Sequence, residues 1–279
     1  MVKSICVISH DATYGNGAAL AEGFKKLVNT VTVFRNKDIK GMYSQTDCII
    51  GTITPLCDHY IIIGAISLRN FPPRLWDKGV TIILTDSTYL KDPKTYNNII
   101  AKYKWNVFAM PDLAPLNGTK NMYYQPFIMP DVSLKKTELI CHSPFHVSKL
   151  PHKGTYFIKA VCTKNDLPLT IIMNKTWEEA IKIKGRYWIC IDRLADYTCG
   201  VGKTGLEAML LDCAVISGTK PEGDNLPPIV WTSKETFEKD LLKLVHDKEY
   251  RIKVIKRQRK WADKNLDPKV VAQKIIDRI

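Results

Sequence analysis

Short apolar, β-branched runs alternate along most of this chain with stretches whose apolar positions recur every three or four residues, the pattern of β-α-β units around a parallel sheet. Residues 4–9 predict the first strand, a loop holding Gly15 and Gly17 follows, and an amphipathic helix to about Val28 leads into a strand at 31–34. Further strands are expected at 60–63, 81–84 and 106–110, with a helix near 95–103. The rhythm stops between Asn117 and Lys136, where Pro126 and Pro130 mark a linker. A second series then predicts strands at 138–141, 169–173, 187–191 and 214–217, and helices starting near Lys153, Trp177 and Lys203. Thr176 with Glu179, and Thr232 with Glu235, have the spacing of a capping box. From Ser233 the pattern is helical and is broken at Pro268. The expected organisation is α/β: two Rossmann-like domains at 1–120 and 137–264, a linker at 121–136, and a helix at 265–279 that braces the first domain.

Composition narrows the class. A hydrophobic share of 45% and a charged share of 25% are those of an ordinary folded protein, which excludes a disordered chain. Ile5, Val7 and Ile8 follow Lys3 too briefly for a signal peptide, and the longest apolar stretch, 60–66, falls short of the ~18 to 20 residues that span a bilayer. A cytoplasmic protein is expected, in the host cytoplasm if the source is viral. Eight cysteines without a CxxC pair read as free thiols of a reducing compartment. His142, His146 and His152 lack the companions of a zinc site and read as loop histidines, so no metal is expected.

Charge adds a partner. The net charge of +13 attracts a polyanion, either nucleic acid or an anionic membrane surface. Lys256, Arg257, Arg259 and Lys260 lie together on a helix with Trp261 and form either a phosphate-binding surface or a solvated face. Trp177 and Trp188 read as packing residues.

The segment from Gly200 to Glu207 follows a strand and opens a helix. Glycines let a backbone approach a phosphate closely, and the helix start supplies unpaired amides and a partial positive charge. Gly202, Lys203 and Thr204 match the end of a P-loop, but Tyr197 stands where that motif needs its first glycine. The longer stretch Gly205-Leu-Glu-Ala-Met-Leu-Leu-Asp-Cys-Ala-Val-Ile resembles the G-x-E-A-M-A-x-G-x-P-V-I segment of GT-B glycosyltransferases. His142-Ser-Pro144 and Lys153-Gly-Thr155 resemble the H-S-P loop and K-G-T helix start of the same enzymes, residues 124–131 resemble their interdomain linker, and the helical tail resembles theirs.

That resemblance implies a GT-B fold, two Rossmann-like domains facing across a cleft with C-terminal helices returning to the first. It makes Glu207 the ligand of the donor ribose and Lys153, with Lys149 as its nearest companion, the pair that holds the diphosphate. Ser143, Gly154, Gly202, Lys203, Thr204 and Gly205 complete the donor-binding set. The co-substrate is a UDP- or GDP-sugar, with no bound cofactor. Cys199 stands where retaining members often carry a sugar-contacting glutamate, so the sugar and the stereochemistry stay open. The resemblance covers residues 121–279 and is architectural in the first half.

On the acceptor side, His10, Asp11, Gly15, Asn16 and Gly17 follow the first strand, at the edge where open α/β sheets bind ligands. Asp86 follows the strand at 81–84. Asp11 or Asp86 could serve as the base of an inverting transfer, or could cap a helix or turn. The compact, basic chain resembles phage enzymes that glycosylate hydroxymethylated bases in DNA, which makes such a base the expected acceptor. A lipid or polysaccharide at a membrane surface is the alternative, and a non-catalytic nucleic-acid-binding protein on the same scaffold is the reading from another class.

Overall fold

The computed structural model describes residues 4–9, 16–25, 27–28, 30–35, 48–50, 57–63, 71–84, 93–109, 134–145, 153–194, 201–221 and 225–279. Contacts divide the chain into two compact units, one of residues 1–128 with 265–279 and one of residues 129–264.

The first unit holds β1 (Ser4–Ser9), α1 (Asn16–Lys25), β2 (Thr30–Arg35), β3 (Cys48–Ile50), β4 (His59–Ile63), β5 (Gly79–Leu84), α2 (Pro93–Tyr103) and β6 (Asn106–Ala109). Its strands form one parallel sheet in the order β3-β2-β1-β4-β5-β6, the order of a doubly wound nucleotide-binding fold. Side chains alternate across the sheet, so Cys6, Ile8, Tyr60 and Ile62 pack with Phe71, Leu75, Tyr96 and Trp105 on one face. Ile5, Val7, Ile61 and Ile63 pack on the other against α1 and a C-terminal helix. Burial on both faces explains why these strands read as unbroken apolar runs. The three-residue β3 was too short to predict.

The second unit holds β7 (Glu138–Phe145), α3 (Thr155–Lys164), β8 (Leu169–Met173), α4 (Trp177–Lys184), β9 (Tyr187–Ile191), α5 (Lys203–Leu210), β10 (Ala214–Ser217), β11 (Val230–Trp231), α6 (Phe237–His246) and most of α7 (Lys248–Leu266). The strands form a parallel sheet in the order β11-β10-β9-β7-β8. Ile140, Ile189, Ile191, Ala214 and Ile216 face α3 and α6 through Ile158, Val161, Phe237, Leu241 and Leu244. The two-residue β11 covers only Ile216 and Ser217 of β10. The buried amide of Gln258 continues the ladder instead, accepting from Val215 N–H and donating to Val215 C=O at 3.1 Å each.

Three expectations are corrected. His142-Ser-Pro144 is not a loop: β7 runs through it to Phe145, with a register shift against β8 between His142 and Phe145. Proline cannot donate to the ladder, and Pro144 falls inside that shift, between the paired residues His142 and Phe145. His142 is accordingly a buried strand residue. The pair Thr232 and Glu235 forms no capping box. Thr232 ends the strand ladder through its N–H to Ser217 O, its hydroxyl donates to Asp240, and α6 begins after Thr236. The box of Thr176 and Glu179 is present at the start of α4.

The last helix, α8 (Pro268–Ile276), belongs to the first unit and places Val271, Ala272 and Ile275 in the core with β1 and α1. Asp267 caps it and Pro268 occupies its first turn, where no amide is needed. Six described cysteines are free, and burial pushes the Cys162 thiol up to about 11 and Cys213 to about 12, which keeps both protonated and inert. No helix among the described residues is long and apolar enough to cross a membrane.

A Cβ placed on Gly23 of α1 would collide with the Pro268 carbonyl, so the helices meet only because that residue is glycine. Gly23→Ala should destabilise the first unit by about 2 kcal/mol or more, the cost of forcing packed helices apart. Denaturant unfolding checks this, and an unchanged midpoint would exclude the close approach.

Candidate functional site

The second sheet reverses direction of growth at β7, which has β8 on one side and β9 on the other. Ligands of open α/β sheets bind beyond the strands' C-terminal ends at such a point. At that edge Asp192, the residue after β9, is wholly buried. It accepts the Gly202 amide at 2.6 Å and the Ser217 hydroxyl at 3.1 Å, and its ion-pair partners are Lys153 at 3.5 Å and Arg193 at 3.8 Å. Burial alone would raise its pKa, but Lys153, Arg193 and the two hydrogen bonds outweigh it and bring it down to about 2. Burial, reinforced by Arg193, holds the Lys153 amine below its usual value, opposed by Asp192.

Backbone geometry gathers the surrounding elements. Gly154 stands before α3 with φ +70°, in the left-handed region, and a side chain there would strike the Leu194 carbonyl. Leu194 N–H donates to Lys153 O and Gly218 N–H to Arg193 O, so the segment after β9 is tied to the loops after β7 and β10. Gly202 caps α5, and Gly205 lies against Val201 and Asp192. His142, at the end of the same core, bonds Ile191 O and the Thr155 hydroxyl at 2.8 Å each. A carbonyl only accepts, so Nδ1 carries the proton and Nε2 accepts from Thr155. The Thr204 hydroxyl reaches the carbonyl of the buried Ser143 at 3.4 Å.

Behind this edge Glu207 is 4% exposed. Its Oε1 accepts from Trp177 Nε1 at 2.7 Å and its Oε2 from Lys184 Nζ at 2.6 Å, with Lys203 Nζ 3.8 Å from Oε1 and above the Trp177 ring. Burial would raise its pKa, but Lys184 and then Lys203 overcome it and hold the carboxyl below the ordinary range. Lys184 is displaced oppositely, since the Glu207 charge outweighs its burial.

The structure thus brings together Ser143, Lys153, Gly154, Gly202, Lys203, Thr204, Gly205 and Glu207, all in the second unit. It adds Asp192, Arg193, Ser217, Trp177 and Lys184, which the sequence did not single out as site residues. Trp177, read as packing, also makes a hydrogen bond to the site. His10, Asp11, Gly15, Asp86 and Lys149 lie outside the described residues. Asn16 and Gly17 open α1 beyond the end of β1, at the corresponding switch point of the first sheet. Of the basic run on α7, Arg259 donates to Leu210 O and pairs with Asp263 and Asp212, and Arg257 donates to Pro228 O. Lys256 and Lys260 are exposed. They line, with Leu134, Trp188, Ile252 and Arg259, a groove of about 650 Å³. Leu134 and Asp212 precede strands, so this groove lies at the sheet edge opposite Asp192. Among the described residues no group of three or more His, Cys, Asp and Glu could hold a metal ion.

No protein-family model matches this sequence, and no curated protein matches it. Solved structures do. The Anabaena protein HepE, crystallised with UDP-glucose, aligns over 98% of both chains at 12% identity with a TM-score of 0.69. The sucrose-phosphate synthase of Thermosynechococcus elongatus aligns over 99% of this chain and 98% of its own, at 11% identity and 0.59. A protein assigned as a UDP-N-acetylglucosamine 2-epimerase from Listeria monocytogenes aligns over 99% and 95%, at 13% and 0.58. At these identities the likeness is one of fold. The chain has the GT-B fold, an α/β architecture of two Rossmann-like units with parallel sheets.

Two pH windows follow from the site. His142 is pulled by burial to about 4, against about 6.5 in an unfolded chain. The unfolded state therefore takes up its proton first, and stability falls as pH drops from about 6.5 to about 4, by roughly 3 kcal/mol for this residue. Asp192, depressed to about 2, keeps its contribution above about pH 4 and loses it as pH falls toward 2. His142→Gln should flatten the upper window in urea midpoints measured against pH. An unchanged slope there would remove His142 as its source.

Proposed function

We propose that this chain is a glycosyltransferase whose second unit takes a UDP- or GDP-linked sugar at the C-terminal edge of its sheet. The observation that carries the reading is Glu207, an ionised carboxylate held by two donors on the helix that opens at Gly202. In this reading Glu207 accepts from the ribose hydroxyls. Lys153 faces the diphosphate with the amides at the start of α5 and the hydroxyl of Thr204, and Lys149 is its proposed companion there. Such groups meet the charge that grows on the leaving diphosphate, the main electrostatic demand of glycosyl transfer from a nucleotide. At 3.5 Å the contact between Lys153 and Asp192 is long enough for the amine to turn toward an arriving anion.

For the acceptor we favour a hydroxymethylated base in DNA, on the strength of the +13 charge and the resemblance to phage enzymes. Asp11 or Asp86 would supply a base near the hydroxyl if the transfer inverts. Lys256 and Lys260, with Arg257 and Arg259 partly committed to the fold, would track phosphates from the edge of the second unit opposite the donor. A lipid or polysaccharide acceptor at an anionic membrane uses the same charges. The likeness to the Listeria epimerase favours a second reading, a nucleotide-sugar epimerase with no acceptor at all.

Thermal unfolding with UDP, GDP and their sugar conjugates tests the donor site. At least one should raise the melting temperature, and Glu207→Gln should remove the shift; no stabilisation by any of them sinks the reading. Labelled donor sugar should then appear in hydroxymethylated DNA and not in unmodified DNA. Label in extracted lipid or polysaccharide would replace the DNA acceptor, and a new sugar epimer formed without acceptor would replace transfer.

A further inference from the structure

Lysine is almost never fully buried without a partner, yet Lys184 is 1% exposed. It is the last residue of α4, and its Nζ lies 2.6 Å from Glu207 Oε2. Trp177, the first residue of the same helix, donates its indole N–H to Glu207 Oε1 at 2.7 Å. Seven positions are two helical turns, so both side chains leave one face of α4 and reach one carboxylate from its two ends. The capping box of Thr176 and Glu179 fixes where that helix begins, and hence the height of Trp177. Around the lysine the chain places Cys141, Cys190 and Cys213, with the Cys213 thiol directed at Lys184 O.

Stability alone gives little reason for this arrangement. Two charges taken out of water pay a desolvation cost that their attraction barely repays, and apolar residues of similar volume serve a core as well or better. What the pair provides is orientation. A carboxylate has about four acceptor positions, and two direct donors engage one on each oxygen. By that count each oxygen keeps one acceptor position, with Lys203 Nζ 3.8 Å from Oε1, and two oxygens of one carboxylate can serve two neighbouring hydroxyls. The neutral acid could not offer both, and a freely rotating side chain would have to be ordered on binding.

We infer that Lys184 and Trp177 are positioning residues that fix Glu207 as a two-point acceptor, and so set the preference of the donor site for ribonucleotides over 2′-deoxyribonucleotides. The inference rests on the reading of Glu207 as the ribose contact. Lys184 keeps the carboxylate charged and Trp177 sets its plane. Neither touches the nucleotide's phosphates, so their loss spares phosphate binding and erases sugar discrimination.

Calorimetric titration of the full chain with UDP against 2′-deoxyuridine diphosphate, and with the guanosine pair, tests this. The unaltered protein should favour the ribonucleotide by roughly tenfold, the scale of one hydrogen bond to a charged group. Trp177→Phe and Lys184→Met should each bring the ratio to about two or below, weakening the ribonucleotide more than the deoxy compound, which has only its 3′-hydroxyl contact to lose. Lys184→Arg, which retains the charge, should keep more of the ratio than Lys184→Met. Should Lys184→Met not fold, Trp177→Phe carries the comparison, since it removes one N–H and keeps a ring in place. Folded variants with an undiminished ratio, or with both ligands weakened alike, overturn the inference. Equal binding of both sugars by the unaltered protein overturns the ribose role of Glu207 itself.

Discussion

A single buried carboxylate organises the C-terminal edge of the second unit's sheet. Asp192 sits where the sheet reverses its direction of growth, and its two oxygens are shared among groups that come from four separate places in the sequence: Lys153 before α3, Arg193 beside it, Gly202 before α5 and Ser217 at the end of β10. A charge in such a place is tolerable only when its donors are all present. The loops that carry them therefore form one cooperative object, and the backbone bonds from Leu194 to Lys153 and from Gly218 to Arg193 repeat the same ties without side chains. Each arm of the site has its position because Asp192 has its charge.

Glu207 obeys the same electrostatic logic on the neighbouring helix with a different outcome. Asp192 takes hydrogen bonds from Gly202, Ser217 and Lys153 with Arg193 at 3.8 Å, whereas Glu207 takes two, from Trp177 and Lys184, with Lys203 at 3.8 Å. Two acidic residues fifteen positions apart are both buried, one tying loops together and the other held between the two ends of α4. The distinction lies in how many donors reach each one.

The strands of both units were legible because burial on both faces leaves β-branched runs that punctuation by glycine and proline delimits. β3 and β11 were not, since three and two residues carry no period. The capping box at Thr176 could be read because its partners are three residues apart; the same spacing at Thr232 misled, since the hydroxyl there is claimed by Asp240. The glycine-rich approach to α5 and the resemblance around Glu207 and Lys153 pointed to residues that the fold gathers at the C-terminal edge of the second sheet. Asp192, Lys184 and Trp177 stayed silent for one physical reason. Their partners lie 39, 23 and 30 positions away, and no local pattern records a pairing that only the folded chain creates.

The docking of α8 on α1 bears on how the protein is made. Val271, Ala272 and Ile275 complete a core that Ile5, Val7, Leu20 and Phe24 begin. During synthesis the face that Ile5 and Val7 present must wait for a helix that emerges some 250 residues later, on the order of tens of seconds at ordinary elongation rates. Over that interval the whole second unit emerges while this face of the first sheet has α1 but not α8 against it. The sheet face that α8 covers is therefore completed only when residues 268–276 emerge, after the whole second unit.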